Sequence, residues 1–145
     1  MPEHRGVRVH QETIEVMTQG PGLYDATALV KACVRRSGVA TGVASVFIQH
    51  TSASLVIQEN ADPSVLRDLS SWMDELAPES RHWEHDDEGP DDMPAHARSA
   101  VTRTSETIPI VSSELGLGMW QALYVWEHRR AAHARRIVVT VWGAA

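Results

Sequence analysis

The sequence is poor in cysteine and lysine, and it lacks a long apolar run. Its single cysteine, Cys33, excludes an internal disulfide and a cysteine-rich zinc motif. Lys31 is the only lysine and the net charge is −6, whereas a nucleic-acid binder normally presents a basic face, so we expect no nucleic-acid partner. No apolar run approaches the ~20 residues that span a bilayer, and the N-terminus lacks a signal-peptide core. We therefore expect a cytoplasmic protein with no membrane partner.

The residues that are present suffice for one packed domain. The chain has 145 residues, of which 43% are hydrophobic, and this is enough for a single core. Neither a repeat nor a linker interrupts it, so we predict one domain over residues 1–145. Predicted strands outnumber helices and do not alternate with them, a pattern that favours an α+β fold.

Periodicity predicts several strands and two main helices. Strands are predicted over residues 7–17, 42–49, 53–58, 106–111, 115–126 and 136–142. The first helix is expected to be capped by Asp25 and to extend to about Ser37. The second begins at Pro63 after the N-cap Asp62 and ends before Pro78. A third, short helix is predicted over about 94–102.

A polar cluster separates two of the predicted strands and contains His50, Thr51, Ser52 and Ser54. At the end of a sheet these side chains would converge on a ligand, and hydroxyls with turn N–H groups are suitable phosphate donors. The alternative is a turn in which the hydroxyls bond their own backbone.

A second cluster, Glu59 and Asn60, lies just before the predicted helix at Asp62. The N-terminus of a helix favours an anion such as phosphate. The alternative is a solvated loop, with Asp62 serving only the helix.

The acidic segment 79–95 is too long for a simple connection and contains the third cluster. His85 and His96 bracket several carboxylates, among them Asp86, Asp91 and Asp92. Histidine and aspartate bind zinc, and also manganese or iron. Their spacing matches neither a zinc finger nor an EF-hand, and the alternative is a solvated acidic surface.

Four further residues have simpler interpretations. Arg129 lies at the end of a predicted strand and could bind a phosphate in bidentate fashion. The alternative is that it faces solvent. We predict that His128 and His133 lie on the surface and that Cys33 is an inert core residue.

Several motifs together resemble the YjbQ family, often labelled secondary thiamine-phosphate synthase. They are HTSASLVIQENADPSVLRDL, GPDDMPAH, IPI, LGLGMWQALYVWEHR and RRIVVTVWG, in order from about residue 8 to residue 143. The chain departs from the family where Val111-Ser112-Ser113-Glu114 replaces a turn that often contains glycine, and where Met119 replaces the usual threonine. These differences affect the entrance to one strand and leave the three histidine motifs intact.

The resemblance implies a fold and an assembly. It implies two packed β-sheets of about seven strands with two main helices, assembled as a homotrimer. It also implies a metal site on His50, His85 and His96, with a divalent ion, zinc first and manganese, iron or magnesium as alternatives.

The function implied by the resemblance joins a pyrimidine methyl diphosphate to a thiazole phosphate and releases diphosphate. Contacts to a small phosphorylated molecule would come from Thr51, Ser52, Ser54, Asn60 and Arg129. A metal-dependent hydrolase of a phosphate or similar ester is the first alternative, with Glu59 or Asp92 as the general base. A non-enzymatic, metal- or anion-binding trimeric module is the second.

Overall fold

The computed structural model describes residues 6–145, so expectations for residues 1–5 lie outside it. Its elements are β1 (Val7–Gln19), β2 (Gly22–Asp25), α1 (Thr27–Ser37), β3 (Thr41–Ile48), β4 (Ala53–Glu59), α2 (Pro63–Leu76), α3 (Asp92–Val101), β5 (Ser105–Val111), β6 (Glu114–Leu115), β7 (Gln121–Glu127) and β8 (Ala132–Ala144). Within the described range, no helix is both long enough and apolar enough to cross a membrane.

The strands form two antiparallel sheets. One has five strands in the order β1-β8-β3-β5-β6, and the other has three in the order β2-β7-β4. The predicted α+β fold with two packed sheets and two main helices is confirmed. Residues 6–145 contain eight strands rather than about seven, and the short third helix begins at Asp92, two residues before its predicted start.

The core is built on the alternation of side chains along β8. Ile137, Val139 and Val141 are fully buried because successive residues of a strand point to opposite faces. They belong to one hydrophobic cluster with Leu55 of the smaller sheet and Val30 of α1. The same alternation directs Arg135, two residues before Ile137, into the interior, where it is 2% exposed.

Helix α2 is capped as predicted, but the C-terminal part of its apolar stripe is not fully covered. Asp62 Oδ1 accepts hydrogen bonds from the backbone N–H and the hydroxyl of Ser64, at 2.9 and 2.7 Å. Met73 alone among the helix residues is buried, whereas Trp72 is 55% and Leu76 is 51% exposed. Trp72 and Leu76 therefore remain accessible on the surface of this chain, while Val65, Leu66 and Leu69 are half-buried.

The start of the first helix differs from the prediction. Asp25 ends β2, and α1 begins two residues later, at Thr27. The Asp25 carboxylate still accepts the N–H of Thr27 at 2.9 Å, so it satisfies one free donor of the helix from outside the N-cap position.

The single strand predicted over residues 115–126 is wrong, because two glycines divide it into β6 and β7. The N–H of Gly116 donates to the Pro109 carbonyl at 2.7 Å, and that of Gly118 donates to Gln121 Oε1 at 2.8 Å. A Cβ atom at Gly116 would lie 2.7 Å from the Pro109 oxygen. The close approach of the backbone therefore requires glycine and ends the ladder.

The turn between β5 and β6 has a backbone conformation that favours glycine. Ser112 and Ser113 have φ values of 49° and 68°, and they join the paired residues Val111 and Glu114. A two-residue hairpin turn with both central φ angles positive is the type I′ geometry, which favours glycine and asparagine. This chain places two serines in that conformation.

Candidate metal centre

The centre forms around the first turn of α3. Asp92 and His96 are one helical turn apart and share a face of α3. Gly89, with a φ of 99°, reverses the preceding loop at a conformation that L side chains rarely adopt. The reversal brings His85 back against the helix start.

Asp92 Oδ2 is the point where the two histidines meet. It lies 2.6 Å from Nε2 of His85 and 3.2 Å from Nε2 of His96. The two imidazole rings stand edge to face with centroids 5.7 Å apart. The Asp92 side chain is only 3% exposed, while those of His85 and His96 are 40% and 33% exposed. The group therefore has a buried carboxylate and an open side formed by the rings.

The backbone of Thr51 determines how the His96 ring is used. His96 Nδ1 lies 3.0 Å from the Thr51 carbonyl oxygen, which accepts only, so the ring must donate its Nδ1–H. In the neutral ring this leaves a lone pair on Nε2, directed at the carboxylate oxygen of Asp92. Two electron-rich atoms at 3.2 Å require a proton or a metal cation between them.

Arg129 holds the other oxygen of Asp92. Its Nη1 donates to Asp92 Oδ1 at 2.5 Å, its Nε donates to Asp91 Oδ2 at 3.1 Å, and its Nη2 donates to the Glu88 carbonyl at 3.1 Å. The N–H of Arg130 also donates to Asp91, at 2.9 Å. Arg129 therefore attaches α3 to the end of β7 and leaves a single Asp92 oxygen facing the histidines.

These contacts shift the titration of the group. Burial would raise the pKa of Asp92, but the hydrogen bond from His85 and the charges of His96 and Arg129 outweigh it and hold the pKa below its usual value. The hydrogen bond to Asp92 raises the pKa of His85. The carboxylate is thus ionised at neutral pH.

The donor set suits a transition metal. One atom from each of His85, Asp92 and His96 lies within 4.8 Å of the others, and zinc binds nitrogen and oxygen ligands at about 2.0–2.2 Å. A site of two histidines and one carboxylate with a remaining open position is typical of catalytic zinc and of iron or manganese enzymes.

The structure does not bring His50 into this group. The N–H of Arg136 donates to His50 Nε2 at 2.8 Å, so that lone pair is occupied and the neutral ring carries its proton on Nδ1. Burial, followed by the charge of Arg135, lowers the pKa of His50, which keeps the ring neutral. In this arrangement the ring has no free lone pair for a metal.

The predicted phosphate contacts do not share one environment. Ser54 is buried and its Oγ lies 2.9 Å from His128 Nε2, whereas Thr51 is exposed. Ser52 Oγ accepts a hydrogen bond from Arg135 at 3.1 Å. Arg129 is engaged with the aspartates of the centre. Thr51 and Ser52 thus remain accessible, while Ser54 and Arg129 have structural partners.

Glu59 and Asn60 lie at the opposite end of β4 from the centre. The strand has seven residues, and this places Glu59 roughly 20 Å from Ala53, the β4 residue nearest to Thr51 in sequence. The Asn60 amide donates to the carbonyls of Met119 and Gln121, at 3.0 and 3.3 Å. Within one chain, neither residue reaches the histidines.

The prediction that His128 lies on the surface is wrong: it is 2% exposed. It follows Glu127, whose carboxylate is fully buried and accepts from Thr18 Oγ1 at 2.6 Å and from Arg135 Nε at 2.7 Å. The sequence contained one signal for this arrangement, because Glu127 shares a face of β7 with Leu123 and Val125, and this strand is buried on both faces. A charged residue at an inward position requires a partner, which is Arg135 here.

Two grooves flank the centre and differ in charge. The carboxylate groove, with a volume of about 730 Å³, is lined by Trp83, Glu84, His85, Asp86, Asp87 and Met93. The His50 groove, with a volume of about 460 Å³, has the polar lining residues Gln49, His50, Thr51, Ser52 and Thr104 and no carboxylate. Thr51 lines the second groove and bonds His96 through its carbonyl, so it joins the groove to the centre.

Comparisons with known proteins agree on one family. The family described as "UPF0047 protein YjbQ-like" matches residues 12–144. The chain is 53% identical over 137 residues to the UPF0047 protein sll1880 of Synechocystis, covering 94% of this chain and 93% of that one. It is 33% identical over 135 residues to the UPF0047 protein YjbQ of Escherichia coli O157:H7, covering 92% and 98%.

Solved structures share the fold. A YjbQ/UPF0047 protein of Clostridium acetobutylicum superposes with a TM-score of 0.80 at 32% identity, covering 90% of this chain and 98% of that one. A protein of unknown function from Sulfolobus solfataricus superposes with a TM-score of 0.88 at 24% identity, covering 95% and 99%. The second likeness supports the fold alone.

Proposed function

This chain belongs to the YjbQ-like UPF0047 family, and we propose that it is a divalent-metal-dependent enzyme acting on a small phosphorylated molecule. The ion is held by His85, Asp92 and His96. Zinc is the first choice and manganese or iron the next, because two imidazoles and one carboxylate suit these ions better than magnesium.

One observation carries the proposal: the Thr51 carbonyl turns the His96 ring so that Nε2 faces Asp92 Oδ2 at 3.2 Å. A backbone carbonyl that orients a metal-binding histidine in this way is a common second layer of metal sites. The buried carboxylate between two rings then supplies the negative charge that favours a cation.

The remaining residues support catalysis rather than a closed structural site. Three protein ligands leave a position open for substrate, whereas structural zinc is closed by four. An ion at such a position supplies Lewis acidity and neutralises charge on phosphoryl oxygens. Arg129, by binding Asp92 Oδ1, keeps the carboxylate oriented with one oxygen towards the ion.

Two reactions remain as finer proposals. The first is a thiamine-phosphate synthase-like transfer that releases diphosphate, for which charge neutralisation at the leaving group is the main requirement. The second is hydrolysis of a phosphate or similar ester, which needs a general base. Asp92 is engaged by three partners and Glu59 is remote, so the base would be Glu88, whose carboxylate lies 4.0 Å from His85 Nε2. A non-enzymatic metal-binding module is the alternative to both.

We also propose the homotrimer that the family resemblance implies. Its support here is exposed apolar surface: Trp72 on α2, and Met119 and Trp120 before β7, which are 80% and 61% exposed. Large exposed apolar side chains commonly mark an interface between subunits where they are adjacent, as Met119 and Trp120 are in the sequence.

The test of the metal proposal is the metal content per chain, measured by mass spectrometry on untagged protein purified without chelator. We expect about one zinc, manganese or iron per chain in the wild type, and loss of at least tenfold in affinity for His96→Ala, since a ligand is removed. The variant His82→Ala is the control, because His82 lies in the same loop outside the three-residue group.

Metal-free wild type in every preparation, or full occupancy in His96→Ala, would contradict the proposal. If metal binds, thiamine-phosphate formation and phosphate-ester hydrolysis are assayed with the loaded wild type and with His96→Ala. An activity that depends on His96 distinguishes the enzyme from a binding module.

A further inference from the structure

The two grooves beside the centre offer opposite environments to a charged ligand. Glu84, Asp86 and Asp87 line the carboxylate groove, where a phosphate would meet like charges. The His50 groove has no carboxylate in its lining. An anion that approaches the centre is therefore directed to the His50 side.

His50 presents a donor to its groove. Because its Nε2 accepts the N–H of Arg136 at 2.8 Å, the neutral ring carries a proton on Nδ1. No other hydrogen bond of the His50 side chain occurs among residues 6–145. This N–H is thus available to an acceptor such as a phosphoryl oxygen.

Hydroxyl groups add further donors. Ser52 Oγ accepts from Arg135 at 3.1 Å, which leaves its own hydrogen to donate. The hydroxyls of Thr51 and Thr104 also lie in the lining. A ring N–H with several hydroxyls is a suitable set of phosphate donors.

The charged groups around His50 are paired with one another and do not oppose an anion. The guanidinium of Arg135 lies behind Ser52, 3.2 Å from its carbonyl oxygen, and is paired with the buried Glu127. Arg136 contacts His50 through its backbone N–H. After burial, the main causes of the lowered His50 pKa are the positive charge of Arg135, opposed by Glu127, with smaller contributions from His133 and Arg136. The charge of Arg135 is thus balanced by Glu127, and the groove offers hydrogen-bond donors with no carboxylate in its lining.

We propose that the His50 groove is the phosphate subsite of the enzyme, with His50 Nδ1 and the hydroxyls of Thr51 and Ser52 as donors. This inference rests on the proposed function and adds where the phosphorylated end of the substrate binds. Thr51 bonds His96 at 3.0 Å through its carbonyl, so a phosphate in this groove lies next to the metal centre without being a ligand of the ion. The reacting part of the molecule then reaches the open side of His85 and His96.

The experiment measures binding of inorganic phosphate at low ionic strength by ³¹P NMR titration, on metal-free protein. Two variants test the groove: His50→Ala, and Thr51→Val, which removes the hydroxyl and leaves the carbonyl that orients His96. We expect the dissociation constant to rise about tenfold for His50→Ala and at least about threefold for Thr51→Val, since each loses a hydrogen bond to a charged group. The control His82→Ala should bind like the wild type.

A second arm separates this proposal from the metal site. The variant His85→Ala/His96→Ala lacks two proposed metal ligands, and we expect it to bind phosphate with the affinity of the wild type. Phosphate binding that is lost in this variant and unchanged in His50→Ala and Thr51→Val would overturn the subsite. Absence of metal from the wild type, with the groove variants still weakened, would instead reject the proposed function and keep the anion site.

Discussion

Breaking the buried ion pair of Glu127 and Arg135 should greatly lower the free energy of unfolding, and the substitution Glu127→Gln tests this. Both Arg135 nitrogens that donate to Glu127 lie in the interior, and the two side chains are 0% and 2% exposed. The substitution keeps the size of the side chain and removes the charge that balances the guanidinium. Leaving one member of such a pair without its partner costs about 3–5 kcal/mol.

Other contacts of Glu127 support a loss in free energy of unfolding within that range rather than below it. Its Oε2 also accepts the backbone N–H groups of His128 and Arg129, at 3.0 and 3.2 Å. An amide can satisfy some of these donors with its oxygen, but its NH₂ group then faces another donor. For a chain of this length the melting temperature should fall by about 10–20 °C.

The measurement is urea unfolding followed by circular dichroism, with thermal melting at one fixed protein concentration because association shifts the midpoint. Glu15→Gln is the matched control, since Glu15 is exposed on β1 and should change stability by less than about 0.5 kcal/mol. In the double variant Glu127→Gln/Arg135→Gln, the loss should be smaller than the sum of the two single losses. A loss below about 1 kcal/mol for Glu127→Gln, or strict additivity, would refute the reasoning.

Two further predictions concern pH and assembly. Burial lowers the pKa of His128 to about 3. Between about pH 6.5 and that value, the unfolded chain therefore binds a proton that the folded chain does not. The free energy of unfolding falls as the pH falls through this range, by at most about 1.4 kcal/mol per pH unit. His128→Gln should lose less stability than the wild type between pH 7 and 5 in urea unfolding, and equal losses would contradict this. The homotrimer should give a mass in light scattering of three times 16.0 kDa, and a monomer at micromolar concentration would exclude it.

Much of the local structure follows from neighbouring residues. The alternation in RIVVTVW predicts β8, and Asp62 with Pro63 predicts the start of α2, because strand periodicity and helix capping depend on residues close in sequence. The acidic segment between His85 and His96 also predicted a site from residues that are close together in sequence. The glycines that divide residues 115–126 are evident in the sequence. The reason why the predicted strand is interrupted is the approach of the Pro109 carbonyl, which only the fold provides.

Contacts between residues distant in sequence decided which side chains form the candidate centre. Thr51 and His96 are 45 positions apart, and their contact depends on how α3 packs beside the turn between β3 and β4. No pattern along the chain shows that Asp92 stands between the two histidines while His50 bonds to Arg136 instead. Glu59 is close in sequence to the first cluster, yet β4 extends between them and carries it away.

The sequence by itself therefore determined the family, the order of most elements, and the loop that contributes to the candidate centre. These properties rest on motifs, caps and periodicities that contiguous residues carry. The tertiary structure alone decided which side chains meet, that His128, Glu127 and Arg135 are buried, and that the grooves beside the centre differ in charge. Burial and electrostatic environment are set by segments distant in sequence, so only the packed sheets and helices define them.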